Sequence, residues 1–83
     1  MTKRRLLKKI LAGSGPIRFS EATALAEAFG FSLNRINASY HIFTHPETPE
    51  LINLQNVNGK AKPYQLKQLL SIVEKHGLHM EDC

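Results

Sequence analysis

Apolar residues recur at helical spacing in three segments of the chain. Between the second and third of these segments, apolar and polar residues alternate as they do in β-strands. The first helix is predicted over residues 3–12, because residues three and four apart share one helix face. Its apolar stripe is Leu6, Leu7, Ile10 and Leu11. A second helix is predicted to begin after Ser20, a good N-cap, and to end at Gly30. Its stripe is Ala22, Leu25, Ala26 and Phe29.

The last helix is marked at both ends. Pro63 fits its first position, where no backbone N–H is needed, and Gly77 fits the residue that ends it. Its apolar positions are Leu66, Leu69, Leu70 and Val73.

Three strands are predicted between the second and third helices, over residues 31–36, 39–44 and 51–55. Asn37 and Ala38 form a tight connection between the first two. Residues 45–49 are predicted to be a longer turn, because Pro46 and Pro49 cannot donate to a strand ladder. Residues 56–61 are predicted to be a loop rich in turn residues.

This order predicts an α+β fold, α-β-β-β-α with a three-stranded antiparallel sheet, preceded by one extra N-terminal helix. Each helix has a single apolar stripe, so the helices are expected to cover one sheet face and leave the other to solvent. This arrangement resembles double-stranded-RNA-binding domains.

The chain length indicates the number of domains, and the charge distribution indicates the class of binding partner. The 83 residues make one small domain, in which residues 1–15 are a basic helical extension and residues 16–78 the core. The net charge is +4, and residues 1–20 contain six lysines and arginines but no acidic residue. Such a basic end predicts a negatively charged partner, either nucleic acid or an acidic protein.

Cys83 is the single cysteine, so an internal disulfide is impossible and nothing indicates an oxidising compartment. No signal peptide or membrane-spanning run is recognisable. A cytoplasmic location, without a membrane partner, is therefore expected.

His41 is the candidate catalytic residue, because a histidine can pass a proton near neutral pH. Strand alternation places Ser39, His41 and Phe43 on one face and Ile42 on the other. With Ile42 expected toward the helices, His41 and Phe43 are predicted to lie on the open face. On that face the candidate roles of Phe43 are stacking on a base or on a partner protein, and the alternative is shielding by the N-terminal segment. Ser39 would assist His41, for which the alternative is a surface histidine without a role.

Other chemistries lack the necessary residues. His41 and His45 are about 13 Å apart along a strand, too far to share one metal ion, so His45 is interpreted as a turn residue and no metal or cofactor is expected. Asp82 is the only aspartate, which leaves no carboxylate pair for two-metal hydrolysis. A metal-free route remains, in which the 2′-hydroxyl of RNA is the nucleophile.

The candidate phosphate-binding residues surround the start of the last helix. Lys60 and Lys62 precede it, and Tyr64 and Lys67 lie near its first turn. Cationic side chains, backbone N–H groups and the helix dipole favour an anion there. The alternative is ordinary solvated lysines around a loop.

Several short stretches together resemble the HicA toxins of bacterial type II toxin–antitoxin systems, over residues 17–78. They are Arg18-Phe19-Ser20, Gly30-Phe31, Ser39-Tyr40-His41-Ile42-Phe43, Leu51-Ile52-Asn53-Leu54-Gln55 and Gly59-Lys60-Ala61-Lys62-Pro63-Tyr64. The family pattern Gly-Ser-x-His falls on residues 38–41, with Ala38 where glycine is usual. The first helix is similar to an N-terminal extension of one branch.

The resemblance implies that His41 is the catalytic histidine of an mRNA interferase, which cleaves mRNA and inhibits translation. It also implies a HicB-type antitoxin that masks the site. The alternative hypothesis is a non-catalytic module of the same fold that binds RNA or an acidic protein. A third hypothesis, DNA binding through the first helix, has less support, because no helix-turn-helix spacing accompanies that helix.

Overall fold

A computed structural model describes residues 3–13 and 16–80 of the chain. Cys83 and Asp82 lie outside the described residues, as do the side chains of the predicted helix positions Lys3, Arg4 and Leu6. The elements, in chain order, are α1 (Lys3–Ala12), β1 (Ile17–Arg18), α2 (Phe19–Ala28), β2 (Ser32–Asn37), β3 (Tyr40–His45), β4 (Thr48–Gln55), β5 (Lys60–Ala61) and α3 (Pro63–His76).

The predicted α+β class with a three-stranded antiparallel sheet is confirmed. That sheet has the order β2-β3-β4, and a separate two-stranded ladder joins β1 to β5. One cluster of buried residues connects the helices to the sheet, with Leu25 of α2, Leu66 of α3 and Leu54 of β4 among its members. None of the helices within residues 3–13 and 16–80 has the length and apolarity needed to cross a membrane.

Helix α1 has the predicted bounds but uses only part of its predicted stripe. Leu7 and Ile10 pack against the core, whereas Leu11 is 68% exposed. Leu11 was therefore wrongly predicted to be an apolar contact. A helix this short turns only a narrow face toward the core, and that face is the one that contains residues 7 and 10.

Helix α2 begins two residues earlier than predicted. Arg18, not Ser20, is the N-cap, and its backbone N–H donates to Glu21 Oε1 at 3.0 Å. This contact satisfies one of the N–H groups at the helix start. The predicted stripe is confirmed, because all four of its residues are buried: Ala22, Leu25, Ala26 and Phe29.

Two-residue turns join the three sheet strands. Asn37 pairs with Tyr40, and Ala38 between them has φ +56°. His45 pairs with Thr48, so the predicted long turn over residues 45–49 is only two residues long. Pro49 lies inside β4, where the register shifts on an edge strand, and this irregular edge tolerates a residue without an N–H.

The sheet presents its faces in the opposite sense to the prediction. Phe43 pairs with Ile52, and each is only 2% exposed beneath the helices. His41 pairs with Leu54 and therefore lies on the same helix-facing side. Ile42 points to the other side and pairs with Asn53. Burying the larger Phe43 side chain removes more apolar surface from water than burying Ile42, which accounts for the inversion.

Strand β5, which pairs with β1, lies at the end of the predicted loop over residues 56–61. Val57 and Lys60 exchange backbone hydrogen bonds of 2.9 and 3.0 Å around Asn58 and Gly59. Both turn residues have positive φ, +53° and +81°, as the tightest hairpin turns require. An Asn-Gly pair is a strong hairpin signal that the loop prediction passed over.

Helix α3 agrees with its sequence signals. Pro63 is its first residue, and Gly77 ends it in the left-handed conformation with φ +62°. Leu66 and Leu69 are buried, and the other two predicted positions, Leu70 and Val73, pack against the core.

Candidate functional site

His41 lies at the margin of the helix-covered sheet face. It belongs to β3, between Ile36 of β2 and Leu54 of β4. The prediction that it stands on the open face is wrong, yet it is only half-buried. The Phe19 ring contacts it edge-on, with the ring centroids 4.6 Å apart.

A cleft of about 510 Å³ opens beside His41. Phe19, Thr23 and Glu27 of α2 line one side, at i, i+4 and i+8, which is a single helical stripe. Leu33 of β2 also lines the cleft, which is open to solvent.

 Thr23 and Glu27 therefore contribute one hydroxyl and one carboxylate to this wall of the cleft. The spacing of these residues is visible in the sequence, but the sequence prediction for this helix included only its apolar stripe.

The two ring nitrogens of His41 are not equivalent. Nδ1 is buried and has no hydrogen-bond partner among the described residues. Buried polar atoms are usually paired, so an orphan of this kind is uncommon. The neighbouring Phe19 ring offers Nδ1 no hydrogen-bond acceptor. Because Nδ1 is buried, Nε2 is the nitrogen that suits proton transfer.

Ser39 lies in the turn before β3, not in the strand beside His41. Its hydroxyl accepts a hydrogen bond from Gln55 Nε2 at 3.3 Å, and its carbonyl accepts one from the Asn56 N–H at 3.0 Å. These contacts tie the turn to the end of β4. Ser39 therefore supports the β-strand that carries His41 rather than pairing with the imidazole.

The predictions for Phe43 and His45 are both wrong. Phe43 is core, so it is not the exposed aromatic that was predicted to stack on a base. His45 is a buried strand residue rather than a turn residue, with Nε2 3.0 Å from the Phe29 carbonyl oxygen and Nδ1 accepting from the Glu47 N–H at 3.0 Å. Both ring nitrogens of His45 have hydrogen-bond partners, and the contact with Phe29 links β3 to the end of α2.

Lys60 lies in a second cleft, of about 500 Å³. Lys9 of α1 and Arg18 of β1 line the same cleft, together with Glu21 and Pro16. Lys9 Nζ is 3.9 Å from Glu21 Oε1. The sequence prediction had paired Lys60 with Lys62, and it did not identify Lys9 or Arg18 as its neighbours.

The other predicted phosphate-binding residues follow the start of α3. Lys62 is its N-cap, with Nζ 6.0 Å from the centroid of the exposed Tyr64 ring. Lys67, one turn further on, lines a small groove that Lys9 also lines. Among the described residues that line the His41 cleft, none is a lysine. The predicted lysines therefore do not line the cleft beside His41.

A polar cluster at the far end of α3 has a structural role. His76 Nε2 is 2.7 Å from Glu50 Oε2 and 3.0 Å from Thr48 Oγ1, and Lys75 Nζ is 3.4 Å from Glu50 Oε1. The hydrogen bond from His76, assisted by the charge of Lys75, lowers the pKa of Glu50. These contacts link β4 to α3.

Comparison with known proteins gives no independent assignment: neither a protein-family model nor a curated protein matches the chain.

Proposed function

We propose that this chain is a metal-independent endoribonuclease that cleaves mRNA. The observation that carries the proposal is the half-buried His41 imidazole at the edge of an open cleft, beside a second cleft rich in cations. A histidine in such a position has access to solvent and to a bound substrate, while a basic neighbourhood attracts the RNA backbone.

In the proposed reaction, His41 accepts the proton of an RNA 2′-hydroxyl. The 2′-oxygen forms a bond to the adjacent phosphorus as the bond from phosphorus to the 5′-oxygen breaks, and the departing oxygen takes up a proton from water. The products are a 2′,3′-cyclic phosphate and a 5′-hydroxyl end. General base catalysis of this type contributes about 10²- to 10⁴-fold to a rate.

The lysines supply charge rather than protons in this proposal. Lys60 follows Gly59, which lines the His41 cleft, so it is the lysine best placed to neutralise phosphate charge next to that cleft. Lys62, Tyr64 and Lys67 extend the basic surface along the start of α3. Phe43 has no part in binding, because it is buried.

The resemblance to HicA toxins supports the same function and adds its context. It implies a fold similar to double-stranded-RNA-binding domains, cytoplasmic action as a translation-inhibiting toxin, and neutralisation by a HicB-type antitoxin. The short sequence stretches that carry this resemblance include the turn and strand around His41.

The decisive experiment compares His41→Ala and His41→Gln with His79→Ala, a control at an exposed histidine. Each protein is incubated with RNA in excess chelator, and the product ends are identified. The parent and the control are expected to cut RNA and leave cyclic phosphate ends, and both His41 variants to lose at least about 10²-fold in rate. An RNA with 2′-deoxyribose at the cleavage position is expected to remain intact.

The second candidate function is RNA binding without cleavage. The contact between Phe19 and His41 favours it, because a ring packed in this way also has a structural use. Under this alternative, the parent protein shifts RNA in a gel but leaves it uncut, and the His41 variants bind as the parent does.

A further inference from the structure

We propose that the cleft lined by Lys9, Arg18 and Lys60 is a subsite for a backbone phosphate of RNA, separate from the His41 cleft. The inference rests on the proposed function in taking RNA as the ligand. It adds Lys9 and Arg18 to the binding surface and gives α1 a part in substrate recognition.

The first argument is that three separate elements deliver cations to one concave site. Lys9 comes from α1, Arg18 from β1 and Lys60 from β5, and the cleft between them has a volume of about 500 Å³. Glu21 is the acidic residue that lines it. Three cations facing one carboxylate leave a net positive site, and arginine and lysine side chains are typical phosphate ligands.

The second argument is the pairing of Arg18 with Lys60. These residues are directly opposite in the antiparallel ladder between β1 and β5. Like charges in directly opposed positions destabilise a ladder, so this pair has an energetic cost for folding. An anion bound between the two side chains would remove that repulsion, which gives the arrangement a reason that folding alone does not supply.

Glu21 limits the positive charge of the cleft. One of its carboxylate oxygens accepts the Arg18 N–H at 3.0 Å and lies 3.9 Å from Lys9 Nζ. The side chains of Lys9 and Glu21 are 29% and 20% exposed, so solvent screens this pair only in part. Removing the negative charge of Glu21 is therefore expected to strengthen anion binding, whereas removing any of the three cations weakens it.

The third argument is continuity between the two clefts. Phe19 and Gly59 line the His41 cleft, while the residues next to them in sequence, Arg18 and Lys60, line the basic cleft. The Phe19 N–H donates to the Gly59 carbonyl at 2.8 Å and forms the ridge between the clefts. An RNA strand that crosses this ridge has one phosphate near His41 and another near the basic cleft.

The test measures binding with an RNA that cannot be cleaved, a single-stranded oligonucleotide with 2′-O-methyl groups. Lys9→Gln, Arg18→Gln and Lys60→Gln each remove one positive charge from the cleft. Lys8→Gln is the matched control, because Lys8 is exposed on the same helix and does not line the cleft. Dissociation constants are measured by fluorescence anisotropy over a series of salt concentrations.

Each cleft variant is expected to bind about threefold or more weakly, and to reduce the slope of log K against log salt by about 0.7 for each lost phosphate contact. Lys8→Gln is expected to keep the parent slope. Glu21→Gln, which retains an oxygen that can accept the Arg18 N–H, is expected to bind more tightly. Thermal melting identifies any variant that has lost its fold. Lys60→Arg keeps the positive charge and is therefore expected to bind RNA more tightly than Lys60→Gln.

Equal weakening by Lys8→Gln and the cleft variants would overturn the proposal, because binding would then follow net charge alone. Weaker binding by Glu21→Gln would also overturn it. The outcome is separate from that of the His41 experiment. Altered slopes in a protein that does not cut RNA would support the subsite and refute the nuclease, and unaltered slopes in a protein that cuts RNA would do the reverse.

Discussion

Ala38 has a backbone conformation that a non-glycine residue rarely adopts. Its φ of +56° places it in the left-handed region, in the turn that leads from β2 into β3 and toward His41. A Cβ atom in that region costs about 1–2 kcal/mol. The chain therefore carries strain three residues from the proposed catalytic histidine, at the position where HicA-like sequences usually have glycine.

Replacing Ala38 with glycine is expected to stabilise the protein by about 0.5–1 kcal/mol, because the relieved strain exceeds the added flexibility of the unfolded chain. Ala24→Gly is the control, since Ala24 lies inside α2, where glycine costs about 1 kcal/mol. Urea denaturation measures both free energies of unfolding. Destabilisation by Ala38→Gly would show that the turn does not store strain.

Glu50 makes the stability of the fold depend on acid pH. Its pKa is lowered in the folded protein by the His76 hydrogen bond, so between the folded and unfolded pKa values the unfolded state binds more protons. The stabilising contribution is therefore present above about pH 4.5 and is lost as the pH falls through the lower, folded pKa.

Glu50→Gln is expected to remove part of the stability loss below pH 4.5, because an amide does not titrate. Glu74→Gln, at an exposed position on α3, is the control and should leave the acid dependence as it is in the parent. Thermal melting between pH 2 and pH 7 measures the effect. A parent-like acid dependence in Glu50→Gln would mean that the His76 contact is not maintained in solution.

At the scale of elements, local sequence signals succeeded where one or two residues decide the structure. Pro63 and Gly77 predicted both ends of α3, because their backbone restrictions act without tertiary help. The sheet faces were harder, since β3 has Ile42 on one side and Phe43 on the other. Only its pairing with β4, where Ile52 and Leu54 are both buried, determines which side packs inward.

The clefts depend on contacts that no local pattern contains. Arg18 and Lys60 are brought together by the ladder between β1 and β5, across 42 positions of sequence. Strands this short leave almost no periodic signal, so the sequence predicted their neighbourhood as a loop. The lysines were therefore recognised as a basic group, but their partners were not.

The turn at Asn58 and Gly59 holds this ladder in place, and it connects fold to function at the element scale. Gly59→Ala puts a Cβ on a residue with φ +81°, where there is no steric clash but the backbone is strained. The expected loss of stability is about 1–2 kcal/mol. Because Gly59 lines one cleft and Lys60 the other, RNA binding is expected to weaken as well.

Gly77→Ala is the matched control for this prediction. Gly77 also has positive φ, +62°, with open space around it, but it ends α3 and lines neither the His41 cleft nor the basic cleft. A similar loss of stability is expected, without the loss of RNA binding. Urea denaturation and anisotropy on the same preparations separate the two effects, and equal loss of binding in both variants would contradict the role given to the turn.

At the scale of the whole molecule, the surface beside the His41 cleft changes from basic to apolar. β2 is an edge strand, and all six of its residues are exposed. Leu33 and Ile36 lie on its helix-facing side, opposite Phe43 and His41, and are 45% and 56% exposed. An unpaired edge with exposed apolar side chains is a typical protein-binding surface.

If a HicB-type antitoxin masks the proposed catalytic site, this edge is where we expect it to bind. Ile36→Asp should weaken the binding of such an antitoxin by about tenfold or more, or about 1.4 kcal/mol. Leu51→Asp is the control, because Leu51 is similarly exposed, at 54%, but lies on the opposite edge strand, β4. Calorimetry should show the loss only for Ile36→Asp, and RNA cleavage by Leu51→Asp should match the parent because Leu51 does not line the His41 cleft. A loss confined to Leu51→Asp would move the antitoxin surface to the other side of the sheet and remove direct masking of His41 as the means of inhibition.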